Sequence, residues 1–173
     1  MTAYMMRIAT ICISLVGLSA CSQTSSTSTS QPILTTHKGY ETYLKIGDNL
    51  TQTHFIDIYN NDVNLVEKKK LVILFATWCS DSQRLIKQLQ QSPLSQDPQL
   101  QIIAIGREEN AATLMQFKQD YNIAYPLIAD PQRAIYNQYA NKGVPRLILL
   151  DENNHVVKTL IGEDPNSLQK VSW

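Results

Sequence analysis

The chain has 173 residues and a mass of 19.6 kDa, room for one ordinary domain and too little for a repeat array or a multidomain enzyme. Fifteen basic residues balance fifteen acidic ones, and Lys68-Lys69-Lys70 is the only basic cluster, so no long-range field would gather nucleic acid. Hydrophobic residues at 43% supply a core, while 26 Asn and Gln nearly match the 30 charged residues, so the polar surface leans on amides.

Residues 1–20 differ from the rest. Met5-Met6-Arg7 gives a positive start, Ile8 to Gly17 an apolar run too short to span a bilayer, and Leu18-Ser19-Ala20 small residues before Cys21, the pattern of an export signal. Leu18-Ser19-Ala20-Cys21 resembles the lipobox of bacterial lipoproteins. That resemblance implies that Cys21 becomes the first mature residue and carries a thioether-linked diacylglycerol and an amide-linked acyl chain such as palmitate. The implied location is the bacterial cell envelope, anchored to a membrane by lipid. Ser22 is not the aspartate that retains some enteric lipoproteins at the inner membrane, which favours the periplasmic face of the outer membrane. Residues 21–38, rich in Ser, Thr and Gln, have no helix or strand period and read as a tether. The domain proper is expected over 39–173.

Within it, Thr53–Tyr59 and Asp62–Val66 read as two short strands around a turn at Asn60-Asn61, an N-terminal β-hairpin extension. Leu71–Ala76 is continuously apolar and too short for a helix, as expected of a central parallel strand covered on both faces. A helix follows over 80–91, with Ser82, Leu85, Ile86 and Leu89 on its inner side and Ser92-Pro93 ending it. Leu100–Gly106 is a second buried strand, and 111–121 a helix carrying Leu114, Phe117 and Tyr121. Tyr125–Ala129 is a short strand. Asp130-Pro131 predicts an N-cap and N1 for a helix lined by Ile135, Tyr136 and Tyr139 and closed by Asn141-Lys142-Gly143. Arg146–Leu150, the turn Asp151–Asn154 and His155–Ile161 predict a hairpin, and Asp164-Pro165 could open a last short helix. The order βαβα…ββ makes this an α/β domain, a mixed central sheet flanked by helices.

Trp78-Cys79-Ser80-Asp81-Ser82 sits where the apolar strand turns into the helix. A cysteine there faces the positive end of the helix dipole and unpaired N–H groups, which favour thiolate, while Asp81 opposes this modestly by like charge. With Ala76-Thr77-Trp78-Cys79 and Gly143-Val144-Pro145 before the hairpin, residues 46–165 resemble the thioredoxin superfamily, in its exported thiol–disulfide reductase and redoxin branch (TlpA/ResA-type). The resemblance implies a thioredoxin-like fold. It makes Cys79 the attacking nucleophile, Trp78 the tryptophan before it, and Pro145 a cis-proline whose missing N–H lets an extended substrate lie beside the thiol. Val144 and Arg146 would complete the substrate edge. The departures are Ser82 in place of the resolving cysteine, a C-x-x-S variant, Ile73 in place of a buried acid, Lys87 in place of a helix-kinking proline, and a stunted terminal helix. A Ser82 hydroxyl can donate to the Cys79 thiolate but cannot attack a mixed disulfide.

Cys12 leaves with the signal and Cys21 is taken by lipid, so Cys79 remains as a lone thiol and the implied activity is monothiol exchange. Its partners would be envelope proteins with thiols or disulfides, or an external thiol reductant, with no cofactor. Two other readings stay open: a binding module whose redox pair has decayed, and a peroxiredoxin-like peroxidase. The latter is disfavoured by Ala76 where a threonine is usual and by Arg146 standing one step after the usual arginine position. His37, His54 and His155 are isolated and read as surface or turn residues, and no His/Cys spacing suggests a metal site. Arg107-Glu108-Glu109 follows the second strand, at the end of the sheet where Cys79 lies; a solvated loop is the preferred reading over carboxylates that manage protons at the thiol.

Overall fold

The structure, a computed structural model, describes residues 39–173. The expected leader, the lipidation site Cys21, the tether and His37 lie outside the described residues. In chain order the elements are β1 (His54–Ile56), β2 (Asp62–Asn64), β3 (Lys69–Phe75), α1 (Ser80–Gln90), β4 (Leu100–Arg107), α2 (Ala111–Asp120), β5 (Leu127–Asp130), α3 (Tyr136–Tyr139), β6 (Arg146–Leu150) and β7 (Val156–Ile161). Short 3₁₀ turns occupy Pro93–Gln96 and Ser167–Lys170.

A five-stranded sheet runs β5-β4-β3-β6-β7, with β3 parallel to β4, β4 parallel to β5, and β6 and β7 joined on antiparallel. β3 is central because it is apolar on both faces, and its side chains divide alternately between two cores. Leu71, Ile73 and Phe75 join Leu85, Ile86 and Leu89 of α1 and Leu114 and Phe117 of α2. Val72, Leu74 and Ala76 join Tyr136 and Tyr139 of α3 and Phe55 and Val63 of the separate β1-β2 hairpin. Each buried Leu, Ile or Phe contributes about 1.5–3 kcal/mol of transfer free energy, which locks the register of β3 against both layers.

Three expectations need correction. The β1-β2 turn spans Asp57–Asn61 instead of closing tightly at Asn60-Asn61, because the Asp57 carboxylate gathers the Tyr59 and Asn61 N–H groups at 2.8 and 2.9 Å. The helix expected after Asp130-Pro131 begins only at Tyr136. Arg133 takes a left-handed φ of 60°, and the Asp130 carboxylate reaches forward to the N–H groups of Ile135 (3.2 Å) and Tyr136 (2.8 Å). Gly143 does not close that helix, which ends at Tyr139; it has φ +81°, and a Cβ there would stand 3.3 Å from the Tyr40 ring. The terminal helix is a single 3₁₀ turn.

Candidate functional site at the start of helix α1

β3 ends at Phe75, and the backbone N–H and C=O groups of the next two residues, Ala76 and Thr77, all find a partner. Ala76 N–H donates to the Ser82 hydroxyl (3.3 Å), and Ala76 C=O accepts from Cys79 N–H (3.2 Å). Thr77 N–H and its hydroxyl both donate to Oε1 of Glu109, at 2.8 and 2.5 Å, and Thr77 C=O accepts from the Gln83 amide (2.7 Å). The tight turn leaves Trp78 pointing outward, 62% exposed, and makes Cys79 the residue that precedes α1. Cys79 is extended (φ −88°, ψ 119°), so its half-buried thiol stands at the end of the helix whose first N–H groups have no intrahelical acceptor.

The second wall is the loop before β6. The Val144–Pro145 peptide is cis, and the Cys79 thiol donates to the Val144 carbonyl at 3.3 Å. Trp78, Cys79, Val144 and Pro145 therefore meet at one end of the sheet. The Val144 N–H enters no hydrogen bond among the described residues. Tyr136, fully buried, fixes this loop by donating its hydroxyl to the Gly143 carbonyl (2.6 Å); burial holds its phenol above the ordinary range.

Two of the predicted site residues do other work. Arg146, expected on the substrate edge, is 3% exposed. Its guanidinium is turned onto Thr42 Oγ1 (2.9 Å) and the carbonyls of Glu41, Lys142 and Gly143, tying the segment that leads into the domain to the Pro145 loop. Its backbone is paired on both sides, to Leu74 and to Ile161, so neither part of it is presented to a ligand. Ser82, expected to hydrogen-bond Cys79, is fully buried and accepts from Ala76 N–H, while the thiol uses Val144.

Asp81 and Arg107, two of the charges near the thiol, are paired locally. Arg84 bonds Asp81, one turn along α1, and donates to the Glu163 carbonyl at 2.7 Å, so the like charge of Asp81 is offset at its own position. Arg107 lies between the rings of Trp78 and Tyr136, 5.9 and 4.9 Å from their centroids, and pairs with Glu108 at 3.0 Å. Sequence reasoning missed Thr77 and Tyr136 as members of this site, and for Glu109 it preferred a solvated loop over a carboxylate near the thiol, where the structure buries the side chain against Thr77. A run of Arg-Glu-Glu reads as solvent-facing, and only the parallel register that sets Phe75 beside Gly106 brings Glu109 under Thr77. His54 and His155 are exposed beside Asp62 and Asp151, and among the described residues no three His, Cys, Asp or Glu side chains are grouped to hold a metal ion.

Comparison with known proteins agrees with this geometry. A family model described as Redoxin matches residues 45–172. A thiol-disulfide oxidoreductase ResA from Bacillus cereus is 24% identical over 138 residues, covering 75% of this chain and 80% of the relative. The ResA of Geobacillus thermodenitrificans is 25% identical over 89 residues, so there the chain spans about half the length of its relative, 51% of each. Among solved structures, a Bacteroides thetaiotaomicron protein superposes with a TM-score of 0.67 at 21% identity, covering 75% of this chain and 86% of the other. A thiol:disulfide interchange protein of the thioredoxin family from Chlorobium tepidum gives 0.58 at 16% identity, over 73% and 94%.

Proposed function

The chain belongs to the redoxin family, and from that premise we propose that it is a thiol–disulfide oxidoreductase working through Cys79 alone, anchored to a membrane of the cell envelope by lipid at Cys21. The observation that carries the reading is the position of the Cys79 sulfur at the start of α1, 3.3 Å from the Val144 carbonyl and beside Pro145. An extended substrate segment laid along this edge finds the unused Val144 N–H as a donor and no competing N–H on Pro145. The names of the ResA relatives support the same chemistry.

The exchange runs in two steps. The thiolate of Cys79 attacks one sulfur of a substrate disulfide; a Cys79–substrate disulfide forms, the substrate S–S bond breaks, and the second substrate sulfur leaves as thiolate and takes up a proton. Ser82 has no sulfur to resolve that intermediate, so a second molecule's thiol attacks it, takes the substrate sulfur into a new disulfide and returns Cys79 to the thiol. Envelope proteins with thiols or disulfides, or a small thiol reductant, fit these roles. Arg146 is committed to Glu41, Thr42, Lys142 and Gly143, which weighs against the peroxidase reading.

The test is a mass measurement of adducts. Wild-type protein incubated with a cystine-bridged peptide should accumulate one peptide on Cys79, persist in that form, and lose it when free thiol is added; Cys79→Ser should show no adduct. Absence of any adduct in the wild type would leave a binding module as the better account, and rapid consumption of peroxide in the presence of thiol would favour the peroxidase.

A further inference from the structure

Glu109 is a carboxylate 5% exposed, with no cation paired to it among the described residues, in a loop that the exchange chemistry above does not use. Burial of an unpaired carboxylate is unfavourable unless donors surround it. Its donors are the N–H (2.8 Å) and the hydroxyl (2.5 Å) of Thr77, both on the single oxygen Oε1, two residues before Cys79. The fold makes room for this contact. Gly106 at the end of β4 lacks a side chain, and a Cβ there would come within 3.1 Å of Glu109 Cβ and 2.7 Å of Leu114 Cδ2. Glu109 N–H turns back onto the Gly106 carbonyl (3.3 Å), which aims the side chain at the end of β3.

Thr77 is thereby held from two sides, by Glu109 on its N–H and hydroxyl and by Gln83 on its carbonyl. Among the described residues the neighbouring Trp78 is exposed with a ring contact to Arg107, and the Cys79 thiol, packed against the core edge, hydrogen-bonds Val144. The Glu109–Thr77 pair thus anchors the middle of the turn, beside the Ala76 carbonyl that holds the Cys79 N–H. We propose that Glu109 is a positioning residue: through its two hydrogen bonds to Thr77 it sets the conformation of the 77–79 turn and hence the approach of Cys79 to a disulfide. The proposal rests on the reading of Cys79 as the nucleophile.

The experiment measures the rate at which Cys79 forms a mixed disulfide with dithiodipyridine and with a cystine-bridged peptide, in folded protein normalised to titrated thiol. Glu109→Gln keeps an acceptor oxygen of the same reach, so its rate should stay within about three-fold of wild type, whereas Glu109→Ala, losing both bonds, should fall about ten-fold. Thr77→Val, which removes the hydroxyl bond alone, should fall between them, and Thr77→Ser should match wild type. The double variant Glu109→Ala/Thr77→Val should be no slower than Glu109→Ala, because both act through one contact. A merely structural role would lower the melting temperatures of Glu109→Ala and Thr77→Val without slowing the folded proteins. If Glu109→Ala does not fold, the two Thr77 variants decide the matter on their own. Wild-type rates in Thr77→Val or in folded Glu109→Ala, or a glutamine variant as slow as alanine, overturn the proposal. A wild-type protein that forms no adduct overturns the nucleophile reading instead.

Discussion

Cys79 and Ser82 stand almost one helical turn apart with opposite surroundings: the thiol is half-buried on the Val144 carbonyl, and the hydroxyl is fully enclosed as the acceptor for Ala76 N–H. A sulfur at position 82 would sit behind Cys79, where an internal resolving thiol can reach a mixed disulfide on Cys79 from within the protein. Ser82→Cys should therefore shorten the life of the peptide adduct and raise turnover in a dithiol-driven disulfide reduction assay by at least about ten-fold. The exchange replaces an oxygen acceptor with a weaker sulfur one, so a stability loss of about 1 kcal/mol should accompany the gain. Turnover that does not rise in the folded variant would mean that the limiting step lies before resolution. Cys79→Ser/Ser82→Cys should be inactive, since the inner thiol alone is not presented to substrate.

At the scale of elements, the β6-β7 pair positions Pro145 as much as it covers the core. Gly162, just after β7, donates its N–H to the Pro145 carbonyl at 2.8 Å, and a Cβ there would come within 2.6 Å of Pro145 Cγ. Gly162→Ala should shift the proline, destabilise the fold by about 1–3 kcal/mol through overpacking, and slow capture of a peptide disulfide more than capture of dithiodipyridine, a contrast read from paired rates. The turn between these strands is organised by Asp151, whose carboxylate accepts from the His155 and Asn153 N–H groups, each at 2.8 Å. The bond from His155 is the main cause holding this carboxyl below its ordinary range. A depressed folded-state value gives stability that is complete above the unfolded-state value and lost as pH falls through the folded one. The urea midpoint of wild type should thus exceed that of Asp151→Asn near pH 6 by less than about 1 kcal/mol equivalent, since the group is one-third exposed, and the gap should close below about pH 4. These two features show what the sequence made legible. Turn chemistry at Asp151–Asn154 and the apolar run of β3 are local and were readable as a hairpin and a central strand. The five-residue turn of β1-β2 and the delayed start of α3 depend on which backbone N–H groups the Asp57 and Asp130 carboxylates gather, and the inward turn of Arg146 on Thr42 and the Glu41, Lys142 and Gly143 carbonyls, choices that no period or spacing records.

Across the whole molecule, chain order made one part of the site legible, since an apolar strand running into a helix places Cys79 at the strand end, and the resemblance to the thioredoxin superfamily implied the other, Pro145 beside it just before β6. The parallel crossover that carries Glu109 and Arg107 to the thiol's end of the sheet was legible too; what was not is that Glu109 turns inward onto Thr77 and Arg107 packs between the rings of Trp78 and Tyr136. The remaining question at this scale is where the domain is held, and it turns on Leu18-Ser19-Ala20-Cys21, outside the described residues. No helix among the described residues is long and apolar enough to cross a membrane; the attachment proposed is lipid at Cys21. A single acyl chain binds a bilayer only marginally, at about 0.8 kcal/mol per buried CH₂, whereas a diacylglycerol together with an amide-linked chain supplies enough buried methylene for stable attachment. Cell fractionation should place the wild-type protein with membranes and release it only into detergent. Mass spectrometry of the N-terminal peptide should find a lipid-modified Cys21 with residues 1–20 removed. Cys21→Ala should shift the protein to the soluble fraction or leave it as uncleaved precursor, while the same domain, purified, still forms adducts on Cys79 at the wild-type rate. An intact Met1, or a mature protein beginning at an unmodified Ser22 in the membrane fraction, would exclude the anchor and leave the chemistry at Cys79 without a fixed place in the envelope.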